Sequence, residues 1–174
     1  MTTRVDFKAK NGEATKGELA LPETAAKAPA VVLIQEWWGV DDHIRSILTR
    51  LASAGFLAVA PDLYDGEVVP ISNEPRASER MNTLDWGRAI AQIAGAVDYA
   101  RAHPHSTGKV GVLGFCMGGA LSFASATAIP GLSAVVPFYG IPPQADYAKV
   151  TAPILTHIAQ RDQWATPEKA DVVK

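Results

Sequence analysis

The chain has 174 residues, 48% of them apolar and 20% charged, with a formal net charge of −2 and a pI near 6.1. That length allows one well-buried core and argues against two domains; the charge supplies neither a basic stripe for nucleic acid nor a polybasic patch for an acidic membrane. The N-terminal MTTRVDFKAKNGEATKG is charged throughout, so it reads as neither signal nor transit peptide, and no later run reaches membrane-spanning length. The expectation is a cytoplasmic monomer, a single domain over 1–174, whose partner is a small molecule.

In chain order, alternating residues flank Asn11-Gly12, a dipeptide that supplies positive φ angles for a tight hairpin turn, so two antiparallel strands are expected to open the fold. The pattern then changes to short apolar runs separated by helical periodicity, the sign of parallel strands covered on both faces. The strand candidates are 30–35 (AVVLIQ), 57–61 (LAVAP), 109–115 (KVGVLGF), 134–140 (AVVPFYG) and 153–159 (PILTHIA). Between the first two, Asp42 caps a helix whose Ile44, Ile47, Leu48, Leu51 and Ala52 recur at helical spacing and which Gly55 ends. Residues 64–80, polar and turn-rich, read as a long loop. A second helix, roughly 85–102, aligns Trp86, Ile90, Ile93, Val97 and Ala100. Thr166, Pro167 and Glu168 have the cap, first-turn proline and first-turn acid of a last helix, inside which the sequence stops. A sheet edge and helix face left uncovered in this way point to a C-terminally incomplete domain.

The strand KVGVL runs into Gly114-Phe115-Cys116-Met117-Gly118-Gly119 and then the small-residue helix ALSFASATA, the strand-turn-helix context of a nucleophile elbow. Glycines are needed there because strand and helix approach closely around the central residue. Cys116 is the candidate nucleophile, and its place at a helix N-terminus favours thiolate. A dinucleotide fingerprint would need G-x-G-x-x-G after the first strand of its unit, which this stretch does not match. In this fold the triad order is nucleophile, acid, histidine. Asp162, after the PILTHIA strand, fits the second place. None of the four histidines follows it: His43, His103 and His105 read as surface residues and His157 as a hydrogen-bonded core residue. The loop after AVVLIQ should complete the oxyanion hole, with the N–H groups of Trp37 and Met117 as donors. Glu36 is a carboxylate beside the elbow that needs a partner. Trp37 and Trp38 would wall the pocket, and no metal is expected.

Gln35-Glu36-Trp37-Trp38-Gly39-Val40, Ala60-Pro61-Asp62-Leu63-Tyr64, Gly108-Lys109-Val110-Gly111, the Gly114–Gly119 elbow, Phe138-Tyr139-Gly140 and Asp162, in that order, resemble the dienelactone hydrolase family from near residue 5 to the end. The resemblance implies an α/β-hydrolase fold, with a mostly parallel central sheet, helices on both faces and an N-terminal antiparallel hairpin. It implies hydrolysis of cyclic enol-lactones such as carboxymethylenebutenolide, in the breakdown of chloroaromatic compounds, by a Cys-His-Asp triad without a cofactor. Cys116 would be nucleophile, Asp162 triad acid and Glu36 the carboxylate that pairs with the resting thiol. An arginine ahead of the long helix grips the substrate carboxylate in this family; Arg80 is the best match and Arg76 the second, either suited by its planar fork. The family's last strand, histidine loop and final helix have no counterpart here, so the 1–174 chain alone is expected to be inactive. The rival readings are a general small-molecule carboxylesterase and a non-catalytic protein.

Overall fold

The computed structural model describes residues 1–23, 26–142 and 146–171. Strands β1 (Thr3–Lys8), β2 (Ala14–Ala20), β3 (Ala28–Ile34), β4 (Leu57–Pro61), β5 (Ser106–Phe115) and β6 (Ala134–Phe138) form one sheet in the order β1-β2-β4-β3-β5-β6. β3 pairs in parallel with both β4 and β5, and β5 with β6, while β1 and β2 add an antiparallel edge. This is the mostly parallel sheet with an N-terminal hairpin expected from the sequence. Helices α1 (Asp42–Ser53), α2 (Glu74–Asn82), α3 (Trp86–Ala102), α4 (Met117–Ala128) and α5 (Pro167–Asp171) complete it. Of the predicted last helix, residues 172–174 lie outside the described residues. No helix among the described residues is long and apolar enough to cross a membrane.

Side chains alternate across the sheet, so each strand feeds two cores. Val32, Ile34, Val59 and Val112 pack with Ile93, Val97 and Leu121 of α3 and α4, whereas Leu33, Ala58 and Ala60 pack with Ile44 and Leu48 of α1. Burying a leucine or isoleucine this fully contributes about 1.5–3 kcal/mol, which is why parallel strands come with helices on both faces. The chain leaves β3 toward β4 on one side and returns to β5 on the other. Loops after β3 and β5 therefore diverge at their C-terminal ends and open a crevice there.

Several local expectations are corrected. The hairpin turn carries positive φ only at Gly12 (φ 91), not at Asn11 as well. Ala9 N–H bonds Glu13 C=O at 2.8 Å and Gly12 N–H bonds Ala9 C=O at 2.9 Å, a three-residue connection with glycine at its left-handed position. Asp41, not Asp42, caps α1: its carboxylate accepts Ile44 N–H at 2.9 Å from an extended backbone, and Asp42 is already helical and pairs with Arg45. The predicted loop 64–80 contains the start of α2. Asn73 Oδ1 caps it through Arg76 N–H at 3.3 Å, Pro75 sits in its first turn and Arg76 pairs with Glu79, so local bonds hold a helix that buries only Ala77.

The PILTHIA segment lies parallel to β6 but makes only two isolated bridges, at Ile154 and His157. Val135 N–H bonds Pro153 C=O, Leu155 N–H bonds Val135 C=O and His157 N–H bonds Pro137 C=O, each at 3.0 Å; Tyr139 N–H bonds His157 C=O at 2.8 Å. The rung missing from this ladder is the N–H that Pro137 does not have.

Candidate active site

β5 ends at Phe115 and α4 begins at Met117, so the turn between them is Cys116 alone, at φ 55 and ψ −117. An L-residue reaches that conformation only when its surroundings impose it. A Cβ on Gly114 would run into the Gly118 carbonyl, one on Gly119 into the Phe138 carbonyl, and one on Gly140 into the Cys116 carbonyl. Gly118 lies equally close to the carbonyls of Ile34 and Gln35 at the end of β3. Cys116 N–H then bonds Phe138 C=O at 3.1 Å, and Ala120 N–H bonds Cys116 C=O at 3.1 Å. The elbow is thus clamped by the ends of β3, β5 and β6, with glycine wherever two backbones touch.

Gln35, fully buried beyond β3, accepts Leu63 N–H on its side-chain oxygen at 3.1 Å and fastens the loops after β3 and β4 together. Tyr64, also buried, donates its hydroxyl to Met117 Sδ at 3.4 Å, and burial pushes its phenol up to about 12. Both residues support the elbow from below.

Above the elbow opens a cavity of about 710 Å³. Trp37, Met81, Trp86, Tyr139 and Tyr147 wall it with apolar surface; Cys116, Met117, Asp162, Trp164 and Lys169 also line it. Cys116 and Asp162, from loops after different strands, are therefore brought to one crevice, as are Trp37 and Met117. Trp38 is not among the lining residues; its ring meets that of Trp37 edge-on at 5.0 Å. The sequence reading assigned no role to Met81, Trp86, Tyr139, Tyr147 or Lys169 in this cavity. Phe138-Tyr139-Gly140 was the one visible signal for any of them.

The thiol is pushed up, against the expectation from its helix N-terminus. Burial is the largest cause, the charges of Glu36 and Asp162 add to it, and the neighbouring Met117 N–H pulls the other way. Asp162 accepts Trp164 N–H at 2.7 Å and Ala165 N–H at 2.9 Å, and these bonds hold its carboxyl below the usual range. Glu36 has the partner its position demanded, the Tyr139 hydroxyl at 3.0 Å.

Arg76 and Arg80 are not among the lining residues. Arg76 clamps Glu67 with Nε at 2.7 Å and Nη2 at 2.9 Å. Arg80 Nε lies 3.0 Å from the same carboxylate, outside hydrogen-bond geometry, while its Nη2 donates to the Tyr64 carbonyl at 3.2 Å and its guanidinium covers the Tyr64 ring at 4.7 Å. No histidine is among the lining residues either. His157, expected as a hydrogen-bonded core residue, is exposed and stacks on Phe138 at 4.3 Å, because among the described residues its segment has a sheet neighbour on one side only, β6. His43 and His105 are exposed as expected; His103 is half-buried against Tyr99, and burial lowers its pKa. Among the described residues, no group of three or more His, Cys, Asp or Glu side chains converges as a metal site would.

Residues 15–174 match the Dienelactone hydrolase family. The chain belongs to the dienelactone hydrolase family. It is 35% identical over 187 residues to Protein usf of Aquifex pyrophilus, an alignment covering all of this chain and 78% of that protein. Carboxymethylenebutenolidase 1 of Cupriavidus pinatubonensis is 32% identical over 181 residues, covering 98% of this chain and 76% of its own. Among solved structures, a dienelactone hydrolase-like promiscuous phosphotriesterase from metagenomic libraries superposes with a TM-score of 0.83 at 26% identity, over 99% of this chain and 74% of that one. The fold is accordingly that of the α/β-hydrolases, and the relatives include ester hydrolases.

Proposed function

We propose that this chain carries the nucleophile and acid of a hydrolase for cyclic enol-lactones of the carboxymethylenebutenolide kind, the triad histidine lying in sequence beyond residue 174. The Cys116 thiolate attacks the lactone carbonyl, the N–H groups of Trp37 and Met117 bind the oxyanion, and water then cleaves the thioester. Asp162 orients the imidazole, which serves as base and acid, and Glu36 takes part in activating the thiol. The observation that carries this reading is Cys116 itself: a thiol in a backbone-clamped elbow, on the floor of an apolar cavity that Asp162 also lines.

A thiol pushed up by burial suits this scheme, because the resting nucleophile stays protonated until a base arrives. Arg80 remains the candidate for an acidic substrate's carboxylate, with Arg76 second; Glu67 would have to release it. That competition favours, as second reading, a carboxylesterase of neutral apolar esters, since the described residues lining the cavity are mainly apolar, with Lys169 as their one cation and no arginine. The two are separated by Arg80→Ala, which raises KM for an anionic lactone only under the first.

The deciding experiment measures hydrolysis of a dienelactone and of p-nitrophenyl acetate by residues 1–174, by the same chain carrying its native downstream sequence, and by the Cys116→Ala form of the latter. The shorter chain should stay near background and the longer should turn over with Cys116 required. Activity that survives Cys116→Ala would remove the thiol from the mechanism.

A further inference from the structure

We infer that Lys169 is a specificity-determining residue whose ammonium receives the carboxylate of an anionic substrate held over Cys116. Of the described residues lining the cavity, only Asp162 and Lys169 carry charge. One stretch of chain holds both. Asp162 accepts the N–H groups of Trp164 and Ala165 at 2.7 and 2.9 Å. Lys169 donates its backbone N–H to Thr166 Oγ1 at 3.4 Å and its Nζ to the Trp164 carbonyl at 3.0 Å. The ammonium thus reaches back across the first turn of α5 to the loop that carries the acid.

What each cation near the elbow must give up decides between them. Arg76 and Arg80 share Glu67, and an anion that took Arg80 would leave that carboxylate one partner fewer. Arg88 is held by Asp65 and Glu13. Lys169 meets no carboxylate among the described residues. Its Nζ has a neutral carbonyl as partner, and an ammonium carries three N–H donors, so two are left for an anion. The residue is exposed, so its charge costs little to keep, while its stem lines an apolar cavity. An anion entering that cavity is repelled by the Asp162 carboxylate, and the ammonium tethered to the same loop offsets the repulsion. A neutral ester needs no such offset, so Lys169 sorts substrates by charge.

This rests on the reading of Cys116 as the nucleophile for an anionic lactone, but its test needs neither lactone nor histidine. Cys116 is the chain's one cysteine, so its reaction with 3-maleimidopropionate and with N-ethylmaleimide is followed by intact mass at neutral pH. The reagents share a ring of lactone size and differ in a carboxylate, and their rate ratio cancels any change in thiolate fraction. In the 174-residue chain, Lys169→Met should lower the ratio of anionic to neutral reagent by about 2- to 5-fold, the worth of a partly exposed ion pair. Lys169→Arg should keep the ratio, and raised salt should bring the wild type toward Lys169→Met. Lys8→Met, on the exposed edge strand β1, removes the same charge and should leave the ratio alone. An unchanged ratio in Lys169→Met overturns the inference, as does an equal fall in Lys8→Met or in Lys169→Arg. Should Lys169→Met fail to fold, Lys169→Gln puts the same question. Absence of lactone hydrolysis by the chain with its native downstream sequence counts against the enol-lactone reading and leaves this ratio readable.

Discussion

On the wall of the cavity built from β3, β5, β6 and α4, backbone meets backbone, and glycines 114, 118, 119 and 140 stand where any side chain would collide. Elsewhere in its lining Asp162 and Trp164 come from a stretch without regular structure just ahead of the short α5 that carries Lys169; Trp164 is 76% exposed and Asp162 is held by the N–H groups of its own turn. The nucleophile is thus positioned by the whole sheet and the acid by three residues of local chain. Stability and catalysis should be coupled at the nucleophile's wall and separable at the acid's turn.

The largest effect expected from that contrast is at Gly119. Gly119→Ala drives a methyl into the Phe138 carbonyl, a backbone atom that cannot step aside, so it should cost about 3 kcal/mol in the urea midpoint, at the upper end of overpacking. A cost under about 1 kcal/mol would show that the elbow yields and break the comparison. Asp162→Asn keeps an oxygen for Trp164 and Ala165 N–H, so stability should change by less than about 1 kcal/mol. Hydrolysis by the histidine-bearing chain should meanwhile fall about 10⁴-fold, the cost of losing the acid's charge in a triad. A stability loss matching that of Gly119→Ala would mean that both parts of the lining are built alike. The smallest effect concerns the edge of the sheet. Pro137→Val restores the N–H that faces Leu155 C=O and should stabilise by up to about 1 kcal/mol, measured in the same denaturation series.

How much of this was legible in the sequence follows the same division. β3, β4, β5 and β6 are short apolar runs because both faces are buried, and burial leaves a mark on composition wherever it occurs. The elbow was legible because close backbone contact demands glycine at fixed offsets around Cys116. α2 was not, since it buries only Ala77 and is held by a cap and ion pairs, which a polar loop would also contain. The PILTHIA segment has the composition of a strand, yet what interrupts its ladder is Pro137 on its neighbour, a fact about pairing that its own residues do not carry. The arginines showed the same limit: type and position suggested a carboxylate grip, while the carboxylate they meet is Glu67. The Tyr139–Glu36 bond spans 103 residues and left no local pattern. Helix α1 was legible in its buried face but shifted by one residue at its cap, because Asp41 and Asp42 are equally good caps by type and only the backbone turn decides.

The most direct test of the central claim, that the elbow makes Cys116 the nucleophile, is the intact mass of the 174-residue chain after brief exposure to p-nitrophenyl acetate at alkaline pH, with peptide mapping. A single acetyl group on Cys116, accumulating without sustained turnover and absent from Cys116→Ala, is the predicted result. Acetyl groups spread over lysines with Cys116 unmodified would contradict it.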